Sequence, residues 1–179
     1  MLASEDTERL LWSRVRDVPD WPQPGVMFRD LTPLMADPIT FTAVIDLLAA
    51  VVDGPIDEIV GIEARGFPYG AALAYRLGAG FVTLRKPGKL PGAVHSQAYD
   101  LEYGSTSLEM HTDALGPGRR VVLVDDVLAT GGTACAAIDL IRRTGATIVT
   151  LAVVLDLVAL GGGDAVRERE VDVTALLSA

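Results

Sequence analysis

The chain has 179 residues, half of them hydrophobic and 22% charged, which is the composition of one folded domain with a substantial core and not of a disordered segment. Its net charge of −9 argues against non-specific binding to nucleic acid or anionic membranes, no apolar run reaches membrane-spanning length, and the polar N-terminus with Glu5, Asp6 and Glu8 does not read as a secretory signal. A lone cysteine, Cys135, excludes an internal disulfide framework and suits a reducing, cytoplasmic compartment.

Taken in order, residues 4–18 read as a helix with Leu10, Leu11, Val15 and Val18 on one side, ended by Pro19. Pro19, Trp21, Pro22, Pro24 and Gly25 make an irregular connection into Met27-Phe28-Arg29-Asp30. An exposed Phe beside Arg on a loop is either a stacking platform for a base or a plug for the core. Asp37-Pro38 marks a helix start, Asp as N-cap and Pro in the first turn, with Phe41, Val44, Ile45, Leu48 and Val52 as the apolar face. Residues 57–62 form a short strand that ends at the charged loop Glu63-Ala64-Arg65-Gly66-Phe67. Helical spacing resumes through Tyr69, Leu73 and Leu77, and residues 81–84 are the next strand. Residues 86–106 have no helical period and are rich in Gly, Pro and Ser, with 94–101 and 108–110 as possible hairpin arms. A weakly structured stretch of about twenty residues inside a compact domain suggests a functional lid. Of fifteen basic residues only two are lysines, Lys86 and Lys89, both at the start of that stretch, so a compact mobile ammonium is wanted there.

Val121-Val122-Leu123-Val124 is an unbroken apolar run suited to a strand buried on both faces. Asp125 and Asp126 follow at its carboxyl end, then the small-residue turn Ala129-Thr130-Gly131-Gly132-Thr133, then a helix with Ala134, Ala137, Ile138 and Ile141 at helical spacing. A Gly-rich loop opening a helix presents free backbone N–H groups and the positive end of the helix dipole, which make an anion site. Two carboxylates beside it would repel a bare phosphate. They suit the hydroxyls of a sugar carrying that phosphate, or a metal attached to it. No lysine follows the glycines, so this is not a Walker loop, and the dinucleotide fingerprint G-x-G-x-x-G is absent. Cys135 reads as a small packed residue in the following helix. Residues 148–155 are another buried strand leading to Asp156-Leu157-Val158, Gly161-Gly162-Gly163 breaks the chain, and 171–177 is a final strand or short helix. The alternation of strands and helices predicts one α/β domain over 1–179 with a mostly parallel sheet, its ligands at the carboxyl ends of the strands.

The stretch from Val121 through Thr133 resembles the signature by which type I phosphoribosyltransferases bind 5-phosphoribosyl 1-pyrophosphate (PRPP). Pro24-Gly25-Val26-Met27-Phe28-Arg29-Asp30, Gly61-Ile62-Glu63-Ala64-Arg65-Gly66-Phe67, Arg85-Lys86-Pro87-Gly88-Lys89-Leu90-Pro91-Gly92 and Leu101-Glu102-Tyr103-Gly104 resemble, in order and spacing, the adenine phosphoribosyltransferases. The resemblance runs from about residue 18 to 160. It implies a mostly parallel twisted sheet flanked by helices, with a small N-terminal hood (about 1–35) and a flexible lid hairpin (about 86–106). It also implies transfer of ribose 5-phosphate from PRPP to N9 of adenine, giving AMP and pyrophosphate in purine salvage. Mg²⁺ would come bound with PRPP, held mainly by the substrate with no metal ligand directly from the protein, and the enzyme would be a cytoplasmic homodimer without nucleic-acid or membrane partners.

By the same resemblance, Asp125 and Asp126 face the ribose and Ala129, Thr130, Gly131, Gly132 and Thr133 hold the 5′-phosphate. Glu63, Ala64, Arg65, Arg85, Lys86 and Lys89 serve the pyrophosphate. Met27, Phe28, Arg29 and Leu157 surround adenine. Glu102 and Tyr103 are the lid residues nearest the base, Glu102 being the candidate general base, and the catalytic set is Glu102, Arg65 and Lys89. Such pyrophosphate loops often hold a cis peptide, here Glu63–Ala64, and Ala64 stands where many relatives have Ser. His95 and His111 read as surface residues and not metal ligands. The competing readings are transfer to another purine and a non-enzymatic PRPP-responsive regulator. The regulator would need a nucleic-acid-binding region for which this acidic chain has no spare domain.

Overall fold

The computed structural model describes residues 5–101 and 104–179. In chain order the elements are α1 (Glu5–Trp12), β1 (Arg16–Pro19), β2 (Met27–Asp30), α2 (Thr32–Ala36), α3 (Pro38–Ala50), β3 (Glu58–Ile62), α4 (Gly66–Leu77), β4 (Gly80–Leu84), β5 (Val94–Leu101) and β6 (Gly104–His111). They continue with β7 (Arg120–Leu128), α5 (Gly132–Arg142), β8 (Thr147–Asp156), a 3₁₀ turn (Val158–Leu160), α6 (Gly162–Arg167) and β9 (Val173–Ser178). Five strands form one parallel sheet in the order β4-β3-β7-β8-β9. After β3 the chain turns to β4 on one side and later returns to β7 on the other. The switch between β3 and β7 opens a crevice at their carboxyl ends, where open α/β sheets bind ligands.

Strand alternation divides the core in two. Val121 and Leu123 pack with Val60, Ile62, Ile138 and Val153 on one face. Val122 and Val124 pack with Leu48, Tyr69, Leu73 and Val154 on the other. Burial of the apolar run on both faces explains why it carries no polar residue before Asp125. Helix α3 starts as expected: the Asp37 side chain accepts the N–H groups of Ile39 and Thr40, each at 3.0 Å. Helix α4 ends at Gly78, whose φ of 67° is the left-handed conformation a C-terminal glycine supplies.

Several expectations give way. The helix read over residues 4–18 stops at Trp12, and residues 16–19 form a strand paired antiparallel with Met27–Asp30, which is therefore β-structure and not a loop. The reason is non-local. Arg16 lies opposite Asp30 and Asp17 opposite Arg29, and both pairs close as ion pairs across the hairpin. Strand β7 runs past the acid pair to Leu128, because Asp125 and Val127 find ladder partners in Val153 and Leu155, so the two aspartates sit inside the strand and not after it. The hairpin expected with arms at 94–101 and 108–110 is present, its pairing running from Val94–His111 to Leu101–Gly104. It docks on α5, where Arg143 donates to the Ser96 carbonyl at 2.9 Å and to Gln97. The Gly161-Gly162-Gly163 break holds the start of α6, and the C-terminal segment is strand β9. Among the described residues no helix is long and apolar enough to cross a membrane.

Candidate active site

At the β3–β7 crevice lies a cavity of about 300 Å³. Its walls include stretches from several parts of the chain. Glu63, Ala64 and Arg65 follow β3, Lys86 follows β4, Asp125 and Asp126 lie within β7 near its carboxyl end, and the loop through Ala129, Thr130, Gly131, Gly132 and Thr133 leads into α5. The structure thus brings together the residues expected at ribose, 5′-phosphate and pyrophosphate, with Arg85 one bond behind. Gly131 has φ 85° and sits at the N-cap of α5, where a side chain would be strained, and the helix's first N–H groups open toward the cavity. The Glu63–Ala64 peptide is cis.

Two of the acids are already paired with arginines. Arg65 Nε lies 3.0 Å from an oxygen of Asp126, whose side chain is 5% exposed. The same guanidinium stacks 5.3 Å from the centre of the Phe28 ring. Arg65 therefore links the N-terminal hairpin to the acid pair. Asp125 Oδ1 accepts the backbone N–H of Asp126 at 2.9 Å. Burial pushes the Asp125 carboxyl well above the ordinary carboxylate range, and the neighbouring Asp126 charge adds to it. Burial also raises Asp126, against the pull of Arg65. Glu63 behaves in the opposite way. Burial opposes its charge, but the Lys86 N–H at 2.6 Å and Arg85 Nε at 3.0 Å outweigh that and hold its carboxyl below the usual range.

Lys89 is exposed on the loop after β4 and does not line the cavity. Neither do the four residues expected at adenine. Met27 is 48% exposed, Phe28 packs edge-on against Trp21 with ring centres 4.3 Å apart, and Arg29 pairs with Asp17. Leu157 donates its N–H to the Leu128 carbonyl, just beyond the acid pair. Glu102 and Tyr103 fall outside the described residues. Among the cavity residues that sequence reasoning did not assign to the site are Tyr99 and Thr106, opposite one another on β5 and β6. An aromatic residue in a stretch of small ones was the available signal. Cys135 is a buried free thiol whose pKa is pushed up by burial, which suits packing and not nucleophilic chemistry.

Residues 33–174 match the phosphoribosyl transferase domain family. The chain is 61% identical over 154 residues to an adenine phosphoribosyltransferase of Streptomyces galbus, covering 86% of this chain and 85% of that one. Its fold is shared by the crystal structure of adenine phosphoribosyltransferase from Rhodothermus marinus, with a TM-score of 0.90, 42% identity and coverage of 98% and 100%. It is likewise similar to the Saccharomyces cerevisiae enzyme complexed with D-2,5-dideoxy-2,5-imino-altritol 1,6-bisphosphate and adenine, with a TM-score of 0.89, 37% identity and coverage of 97% and 100%. With its cavity, its paired acids and these relatives, the chain belongs to the adenine phosphoribosyltransferase family.

Proposed function

We propose that this protein transfers ribose 5-phosphate from PRPP to N9 of adenine, releasing pyrophosphate and forming AMP. One observation carries the reading: the Gly-rich loop 129–133, the acid pair Asp125–Asp126 and the Glu63–Arg65 loop share one cavity at the sheet's switch point. The yeast relative crystallised with an imino-sugar bisphosphate and adenine supports the same ligand set.

In this reading the five residues from Ala129 to Thr133 hold the 5′-phosphate with backbone N–H groups and the Thr130 and Thr133 hydroxyls. Asp125 and Asp126 accept the ribose hydroxyls. Arg65 leaves Asp126 as the sugar takes its place and turns to the pyrophosphate, joined there by Lys86, Lys89 and Arg85. As the C1–O bond to pyrophosphate breaks, the ring gains positive character and the leaving group gains negative charge, which these cations stabilise. N9 forms the new bond to C1, and Glu102 takes the proton that adenine sheds. Met27, Phe28, Arg29 and Leu157 bracket the base. Tyr103 and the rest of the lid exclude water, which would otherwise hydrolyse PRPP.

Mg²⁺ fits this donor set as an ion carried by the substrate, because it favours oxygen ligands and retains phosphates and waters, and the acid pair offers only two carboxylates. When bound it would neutralise charge on the pyrophosphate. We also read the chain as a single catalytic domain, with its hood near 1–35 and its lid near 86–106, working as a cytoplasmic homodimer. The test is AMP formation by purified protein given PRPP, Mg²⁺ and a panel of purines. Product with adenine supports the proposal, and turnover of hypoxanthine or guanine at equal rates refutes it.

A further inference from the structure

Between Arg85 and Lys89 the chain has few ways to satisfy its backbone. The Lys86 N–H is taken by Glu63, Pro87 has none, and the Gly88 N–H donates to Glu109 Oε2 at 2.9 Å. Gly88 has φ 73°, so Pro87–Gly88 is a turn of the kind that needs glycine in second place. Glu109 also grips the segment by its backbone: Arg85 N–H donates to the Glu109 carbonyl at 2.9 Å and Glu109 N–H to the Arg85 carbonyl at 2.7 Å. On β6, Leu108 and Met110 point into the core at 1% and 0% exposure, so alternation turns Glu109 outward onto this loop. An acid placed on a strand only for solubility needs no backbone partner. This one caps the turn between the chain's two lysines.

We propose that Glu109 is a positioning residue for the transfer reaction. By holding the Pro87–Gly88 turn against β6 it fixes the base of the loop that carries Lys86, which lines the cavity, and Lys89, which closure brings to the pyrophosphate. The inference rests on the pyrophosphate role of those lysines given above. Glu63 secures the near end of the segment and Glu109 the far end, so the lysines are carried on an anchored segment and not on a floppy loop.

The test compares Glu109→Ala with Glu109→Gln in the full-length protein. The Gln amide oxygen can accept the same N–H, whereas Ala cannot. Without substrate, tryptic cleavage after Lys89 should quicken by about tenfold in Glu109→Ala and stay near wild type in Glu109→Gln, the change expected from losing a hydrogen bond to a charged acceptor. With substrates, Glu109→Ala should lose about tenfold in kcat/KM for PRPP with KM for adenine unchanged, and Glu109→Gln should stay within about threefold. Equal losses in both variants, or wild-type cleavage and kinetics in Glu109→Ala, overturn the proposal. If wild-type protein makes no AMP, the reaction reading fails, while the cleavage comparison still judges the turn.

Discussion

Gly162 offers a direct test of how the phosphate loop is held. It packs so closely beneath that loop that an added Cβ would stand 2.2 Å from the Ala129 carbonyl oxygen, 2.9 Å from the Gly131 nitrogen and 3.0 Å from the Ala129 carbonyl carbon. All three are backbone atoms of the loop, so no flexible side chain can yield. Relief requires Ala129 to move by roughly 1 Å, at an overpacking cost of about 1–3 kcal/mol. A displacement of that size at a binding loop reduces turnover by up to about 10²-fold. Gly162→Ala should therefore lower Tm and raise KM for PRPP far more than KM for adenine. The control is next door. A Cβ on Gly163 meets Arg167 Nη1 at 3.0 Å and Asp156 Oδ2 at 3.2 Å, both ends of side chains, so Gly163→Ala should be mild. Steady-state kinetics with either substrate varied, alongside thermal unfolding, decide it. If Gly162→Ala binds PRPP like wild type, the loop is not braced from below and the reasoning is wrong.

Lys89→Ala should cut kcat/KM by roughly 10- to 200-fold, the equivalent of about 1.5–3 kcal/mol for a charge-assisted hydrogen bond made only when the loop closes, and wild-type kinetics would reduce the lysine to a surface residue. Asp125 carries a folded-state pKa raised above its ordinary 3.8 by burial, so its ionisation costs stability, and that cost grows as pH climbs from near 3.8 through the raised value. Asp125→Asn should thus raise Tm at about pH 7 while weakening PRPP, and a Tm equal to or below wild type there would contradict the burial argument. If the backbone near Met27 reads the base, as proposed for the adenine site, hypoxanthine reverses the donor and acceptor that adenine presents there. Two unpaired buried groups at about 1–3 kcal/mol each predict a preference for adenine of about 30-fold or more, which competition between the two bases would measure.

The central strand–loop–helix was legible because its constraints are local. A buried strand must be apolar on both faces, an anion loop must be small, and residues 121–133 satisfy both in sequence. The N-terminal hairpin was not. Leu10, Leu11, Val15 and Val18 fit a helix as well as anything else, and the cross-strand partners that decide the matter, Asp30 and Arg29, lie more than ten residues away. Gly161-Gly162-Gly163 read as a break for want of side chains, although Gly162 is small because Ala129 leaves it no room. Tyr99 and Thr106 became cavity residues only through the register of β5 with β6, which local sequence does not state. The proposed base-binding set is the least locally specified part, since its residues come from β2 and from just beyond β8, and two further lid residues fall outside the described residues.

An acidic chain must still attract a polyanion, and the arrangement around the cavity resolves the conflict. At physiological salt, charges beyond about 8 Å are largely screened, so the −9 of the whole chain matters less than the groups lining the site. There each carboxylate is answered. Glu63 is held by Arg85 and Lys86, and Asp126 by Arg65. The acid at Asp125, beside a second carboxylate and without an arginine of its own, is the one whose charge burial suppresses most. The N–H groups that open α5 then face a cavity in which the acids have little uncompensated charge left to repel a phosphate. The same pairing sets the order in which interactions can exchange. In the proposed reaction, hydroxyls take Asp126 as Arg65 turns from it toward the pyrophosphate. A ligand bearing hydroxyls or pyrophosphate alone satisfies half of that exchange and leaves a buried carboxylate or a guanidinium without its partner. A ribose that carries both would satisfy it fully, which is the basis we propose for selecting PRPP over its fragments.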